Sequence, residues 1–209
     1  MASSVVDQLR SDILDSVFMP GERLIELDLC DRYGCSRAPV RAALLQLESE
    51  GIVERQANRG AVVRRVSVAE AIEITEARAV LESLAAARAA RNGTVEEAEE
   101  LRGVIEEMRR AVTADDAATY SRLNKDLHRR LRAISRHSVA AGILENLRDR
   151  AVQNQYRLAM MPGRQAESFE QHAAIVEAVV AHDEEAAAAA MEKHMLSVID
   201  VLARWADIP

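Results

Sequence analysis

Aromatic residues are scarce in this chain: one Trp, two Phe and three Tyr among 209 residues. Set beside an alanine-rich second half, that shortage disfavours a β-rich fold and favours helices. Cysteine is scarcer still. Cys30 and Cys35 are the only two, too few for a disulfide framework. No histidine lies near them, so they make a poor zinc site. They are expected to be reduced, small core residues. No apolar run approaches the roughly 20 residues that span a bilayer. No basic-then-apolar leader opens the sequence, so a cytoplasmic protein with no membrane partner is expected. Positive charge is also in deficit. The net charge of −7 excludes a uniformly basic nucleic-acid binder.

What is present is unevenly placed. The 49% apolar content is ample for real cores, and the length suits one large or two small domains. Between Arg32 and Arg65 stand seven arginines against three glutamates, a local surplus of +4, so the remainder carries −11. A basic patch on an acidic body suits a protein that touches DNA with one module.

The basic segment has a recognisable shape. Glu26 to Tyr33 predicts a short helix, Gly34 a tight turn, and Ser36 to Gly51 a second helix. Ser36 is a good N-cap, because its hydroxyl can accept from an otherwise unpaired backbone N–H. Pro39 falls in the first turn, where a missing N–H costs little. Gly51 can take the left-handed conformation that stops the helix. Val40, Leu44 and Leu47 make one buried stripe. Arg37 and Arg41 lie one turn apart on another face. Two arginines on the first turns of a second helix are what a helix-turn-helix needs, since those turns enter the major groove. An ordinary helix with a solvated arginine face would show the same spacing.

Further signals surround this core. Ser4 to Val17 predicts a first helix, opened by a capping box from Ser4 and Asp7 and ended by Pro20-Gly21, with Val5, Leu9, Ile13 and Val17 on one face. Ile52 to Arg55 and Ala61 to Arg64 predict two short strands around turn residues Gln56 to Gly60. Three helices and a basic-tipped hairpin give a winged helix-turn-helix, with Arg59 at the tip reaching the DNA backbone or minor groove.

At this point the residues resemble a known family. Pro20-Gly21-Glu22-Arg23-Leu24, then Ser36 to Leu44, then Leu47 to Val53 are similar to the DNA-binding domain of GntR-family bacterial transcription regulators. The family's middle motif is S-R-T-P-V-R-E-A-L; here Ala38 replaces Thr and Ala42 replaces Glu. Leu27 stands near where some relatives carry an additional arginine, so that contact is not carried over. The resemblance implies that Ser36, Arg37, Arg41, Arg59 and Gly60 lie at the DNA.

Beyond a boundary near residues 65–67 the sequence reads as helix after helix. Ser67 and Glu70 form a capping box for a long helix to about Arg91. Thr94 with Glu97 opens the next. Asp115, Ser138 and Asp183 are candidate caps for later ones. Met160 to Gly163 breaks the chain before a helix from about Arg164 to Ala181. The fold expected is mainly α: a winged helix-turn-helix over residues 1–66, with three helices and a small β-hairpin, then an all-α bundle over residues 67–209.

Every histidine of the chain lies in this second part. Asn124 and His128 are one turn apart; Asp126 points elsewhere. His172 and His194 belong to two later helices. Three helices could aim one amide and three imidazoles at a common point, which suits divalent transition ions, although a lone histidine on a helix is more often a satisfied core or surface residue. His137 and His182 sit at helix ends and read as solvated.

Here too there is a resemblance. Asn124 to His128, Glu170 to Ala178, His182 to Ala186 and Met191 to His194 look like the FCD effector domain of the FadR subfamily. Its metal-binding members place an Asp or Asn four residues before a His, with one His on each of two later helices. The resemblance implies Asn124, His128, His172 and His194 as ligands of a divalent metal, zinc or nickel first. Leu127 replaces the usual Phe. Four neutral ligands leave the ion's charge uncompensated, which implies weaker retention and a stronger pull on a carboxylate. Arg78 lies in a segment similar to one whose arginine faces the effector cavity; it could clamp a carboxylate or pair with a glutamate of its own or a neighbouring helix.

These signals together describe a ligand-responsive transcription regulator, a repressor, that binds a palindromic double-stranded operator as a homodimer and answers to a small organic acid. A metal sensor without organic effector is the alternative. A metal-dependent hydrolase is a third reading, but no HExxH-type motif supplies its base, and no enzyme activity is expected.

Overall fold

The computed structural model describes residues 4–57, 60–159 and 163–206. Its chain divides into two compact units. The first ends at Ser67 and includes Arg148–Gln153; the second comprises Val68–Leu147 and the chain from Asn154 onward.

The first unit contains α1 (Val5–Leu14), β1 (Arg23–Leu24), α2 (Glu26–Tyr33), α3 (Arg37–Ser49), β2 (Val53–Gln56) and β3 (Gly60–Val63). Both halves of the Ser4–Asp7 capping box are formed. Helix α1 stops earlier than Pro20-Gly21 would dictate. Ser16 turns left-handed (φ 60°), and the Val17 N–H returns to the Asp12 carbonyl at 2.8 Å. Val17 therefore leaves the buried face and is 47% exposed. Helix α2 has the expected bounds, and Gly34 closes it at φ 61°, a conformation that costs a β-carbon residue energy. Leu9, Leu29, Val40, Leu44 and Leu47 meet in the core beneath α3.

The hairpin gains a strand that the sequence did not announce. β1 pairs with β3 through Arg23↔Val62 and Leu24↔Ala61, giving the order β1-β3-β2. Two residues are too few to show a period. The wing's tip, with Arg59, lies outside the described residues, as does the expected chain break at Met160 to Pro162.

The second unit contains α4 (Val68–Asn92), α5 (Val95–Thr113), α6 (Ala117–Ile134), α7 (Ser138–Ala159) apart from its segment Arg148–Gln153, α8 (Arg164–Val180) and α9 (Glu184–Ala206). Helix α4 lies along α9, and α8 packs on both. A run of buried alanines on α4, Ala79, Ala86, Ala89 and Ala90, lets neighbouring backbones approach closely. Leu101, Met108, Leu127, Leu131, Ile175 and Met191 fill the core. Leu127 is 0% exposed, so its truncation to Ala is expected to cost about 2–5 kcal/mol.

Several caps differ in detail from the sequence reading. The Thr94–Glu97 box forms as expected. Asp115 instead takes the left-handed position after α5 (φ 53°), and Asp116 caps α6 by accepting from the Thr119 N–H at 2.9 Å. His137 is not simply solvated: its Nδ1 accepts from the Ala140 N–H at 3.2 Å and caps α7. His182 likewise has a partner, with Nδ1 donating to the Ala90 carbonyl at 2.7 Å. Asp183 caps α9 through the Ala186 N–H at 2.9 Å. Both cysteines are unbridged, Cys30 buried and Cys35 partly so. Among the described residues no helix is long and apolar enough to cross a membrane.

Candidate DNA interface and candidate metal centre

In the first unit, burial of Val40, Ala43, Leu44 and Leu47 fixes which side of α3 faces outward. Ser36, Arg37 and Arg41 are all exposed on that side. Ser36 holds the N-cap position with extended backbone (φ −77°, ψ 172°), yet its hydroxyl accepts no bond from the first turn. That end faces solvent, so water can satisfy the first-turn N–H groups, and the hydroxyl remains available to another acceptor or donor. Arg41 is braced: its Nε donates to both carboxylate oxygens of Glu26, at 3.0 and 2.9 Å. Arg55 donates to Glu48 at 3.0 Å. Arg23, Arg41, Arg55 and Gly60 line one groove with Glu26 and Glu48. Glu26 was missed in the sequence because its pairing with Arg41, 15 residues on, leaves no local periodicity. Gly60 begins β3 at φ 72°. Leu27 is 54% exposed on α2.

In the second unit the three spaced histidines converge. His128, His172 and His194 are all buried, and one ring nitrogen from each lies within 4.8 Å of the other two. His128 Nε2 and His172 Nε2 are 3.3 Å apart. The rings of His172 and His194 have centroids 4.3 Å apart. Helix periodicity explains the convergence. His128 shares a buried face with Tyr120, Leu123, Leu127 and Leu131; His172 with Ser168 and Ile175; His194 with Met191 and Met195.

The far side of each ring is engaged. His128 Nδ1 lies 3.4 Å from Glu82 Oε2. His194 Nδ1 donates to Gln171 Oε1 at 2.9 Å. His172 Nδ1 has the Tyr120 hydroxyl at 3.2 Å and the Ser168 hydroxyl at 3.4 Å. An acceptor at Nδ1 fixes the tautomer that leaves the Nε2 lone pair for a ligand, the arrangement that supports metal-bound imidazoles. Burial pushes His172 well below its ordinary value, helped by the charges of His128 and Arg164. His194 is lowered the same way, by burial first and then by His172, His128, Arg164 and Arg78. Both are therefore neutral donors near neutral pH.

Asn124 is half-buried one turn before His128, and its Oδ1 is buried with no hydrogen-bond partner among the described residues. A buried carbonyl oxygen without a donor is costly. One helix turn before His128, it fits a fourth ligand, an oxygen, to join the three imidazole nitrogens. The donor set therefore suits a divalent transition ion. Asp126 does turn away, pairing with Arg129 and Arg130.

Arg78 is buried and reaches Glu82, one turn along α4, with Nη2 to Oε1 at 3.4 Å. It thus takes up the same-helix pairing, while its Nε remains buried without a partner. Three further groups escaped the sequence reading. Glu82 is fully buried. Arg132, 8% exposed, sits with Nη1 3.6 Å from Glu82 Oε1. Arg164 donates to the Ser197 hydroxyl at 2.6 Å and pairs with Glu167. Burial alone would raise the Glu82 carboxyl; His128, Arg78 and Arg132 outweigh it and hold it well below the usual range. Burial pulls the Arg132 guanidinium down, opposed by Glu82. The i, i+4 spacing of Arg78 and Glu82 was readable. Nothing local tied Arg132 to them.

Residues 1–63 match the family of bacterial regulatory proteins called gntR, and residues 73–197 match the FCD domain. The chain is similar to the transcriptional repressor RspR of Escherichia coli K12, with 26% identity over 190 residues, 91% of this chain and 83% of that one. It is similar also to a protein of Paenarthrobacter nicotinovorans named a probable D-xylose utilization operon transcriptional repressor, with 27% identity over 97% of this chain and 89% of that one. Among solved structures, E. coli McbR/YncC superposes with a TM-score of 0.84 and 25% identity, covering 99% of this chain and all of the other.

Proposed function

Because this chain belongs to the GntR family and carries an FCD domain, we propose that it is a homodimeric repressor that binds a palindromic operator and is controlled by a metal-anchored organic acid. Transcription regulation itself follows from the family, whose members named above are regulators and not enzymes. The repressor reading is supported by two relatives that are named as repressors.

Residues 1–66 are the DNA reader and residues 67–209 the effector and dimerisation part, and the protein works in the cytoplasm. At the DNA, Arg37 and Arg41 reach base edges or phosphates in the major groove, Ser36 donates to a phosphate, and Arg59 and Gly60 meet the backbone beside the groove. Two recognition helices on a two-fold site multiply a modest half-site affinity.

In the helical interior His128, His172, His194 and Asn124 hold the metal, zinc or nickel. The bound ion supplies a Lewis-acidic charge that a carboxylate can ligate. Glu82, Gln171 and Tyr120 orient the imidazoles, and Arg78 steadies the carboxylate. Effector binding then biases the spacing of the two winged units. The observation that carries this reading is the convergence of three buried ring nitrogens within 4.8 Å, each backed by a polar partner. The test is operator binding, on a site obtained by selection from random duplexes, with and without a chelator and a panel of small carboxylic acids. The reading predicts that an acid changes DNA affinity only when metal is present. A response to chelation alone, with no acid effective, would instead favour a metal sensor.

A further inference from the structure

Buried charge in the second unit does not balance. Glu82, 0% exposed, is the one carboxylate among its deeply buried described groups, and it serves two guanidiniums and an imidazole. Its Oε2 faces His128, and its Oε1 faces both Arg78 and Arg132. Among the described residues neither arginine is satisfied: Arg78 Nε and Arg132 Nη1 are buried with no hydrogen-bond partner there. The 3.6 Å from Arg132 Nη1 to Glu82 is an ion-pair distance, too long for a hydrogen bond. The other charges that bear on Arg132 are Glu145, which is exposed, and two like charges, Arg78 and Arg129. Around Glu82 two buried guanidiniums face one carboxylate and keep two idle N–H donors, which is expensive, and an anion is the group that relieves both costs.

The cations also differ in position. Arg78 is close enough to the histidine cluster for its charge to be felt at His194, whereas Arg132 reaches the cluster by way of Glu82. One acidic group held at the histidines and Arg78 leaves Arg132 unserved. We propose that Arg132 is a specificity residue forming a second anion subsite, so that the effector is a small acid with two anionic groups, a dicarboxylate. This rests on the reading of the helical interior as an effector site. Arg132 takes the second carboxylate through its planar donors, a geometry that lysine cannot reproduce.

The test uses the full chain loaded with zinc. Malonate, succinate, glutarate and adipate are compared with monocarboxylates of equal chain length, at matched ionic strength, by calorimetric titration and by the thermal midpoint of unfolding. At least one dicarboxylate is expected to bind about tenfold more tightly than its monocarboxylate partner, the scale of one additional charged hydrogen-bond pair. In Arg132→Met that preference should fall close to one while monocarboxylate binding persists. Arg132→Lys, which keeps the charge, should retain part of it, and serves if the Met variant fails to fold. Equal binding of the two classes by the wild type would overturn the second subsite and leave the effector site standing. An unchanged preference in both variants would overturn the role of Arg132. Binding of neither class by zinc-loaded protein would remove the effector site, and this inference with it.

Discussion

The winged unit and the helical unit both build arginine–glutamate pairs, and they use them in opposite ways. Arg41 and Glu26 meet on the surface, with side chains 60% and 37% exposed. Arg78, Arg132 and Glu82 meet in an interior where the carboxylate is wholly buried. In water such a pair contributes about 0–1 kcal/mol, so it can open cheaply when a phosphate or a guanine competes for the arginine. Buried charges pay several kcal/mol in desolvation, and removal of one partner strands the rest. The first arrangement suits a surface that must exchange partners. The second suits an interior that must hold a fixed electrostatic field.

The largest effect should come from Glu82→Leu. It leaves two buried guanidiniums without their carboxylate and His128 without its Nδ1 partner, and is expected to cost about 3–5 kcal/mol in denaturant unfolding of the helical unit. A loss under 1 kcal/mol would erase the contrast between the two regions.

Acid should come next. His172 and His194 are lowered in the folded state, so below their ordinary value of 6.5 the unfolded chain binds protons that the folded chain refuses. Stability of metal-free protein is therefore flat above that pH and falls below it, by about 1.4 kcal/mol per histidine per pH unit, until the folded-state values are reached. Unfolding midpoints across pH 5–8 with chelator present would check it; no dependence would mean that the rings are not dry.

Arg41→Ala should weaken specific operator binding by about 1–3 kcal/mol in equilibrium titrations and change unfolding by under about 1 kcal/mol, because the pair it breaks is exposed. Unchanged affinity would remove Arg41 from the interface. Glu26→Ala should be the mildest, under about 1 kcal/mol in stability, because the pair it breaks is exposed.

How much of this was legible in the sequence depended on whether the signal was local. The bounds of α2, the capping boxes of Ser4–Asp7 and Thr94–Glu97, and the Val40–Leu44–Leu47 stripe are written within a few residues of themselves, and they stand as expected. Asn124 and His128 stand one helical turn apart, and His172 and His194 fall on two later helices, so the convergence of the histidines could be anticipated once three helices were placed. What escaped was long-range or too short to carry a period. β1 has two residues. Glu26 finds Arg41, and Arg132 finds Glu82, across intervals with no pattern between them. Asp115 and Asp116 are adjacent carboxylates, and only the backbone's left-handed turn at Asp115 decides which one caps α6.

The central claim is that three helices gather their imidazoles into one metal centre. Zinc stoichiometry of the wild type and of His172→Ala, measured by elemental analysis after equal exposure to zinc and gel filtration, tests it most directly. One ion per chain is expected in the wild type and none in the variant, with helical content unchanged. A variant that retains one ion per chain, or a wild type that retains none, would contradict it.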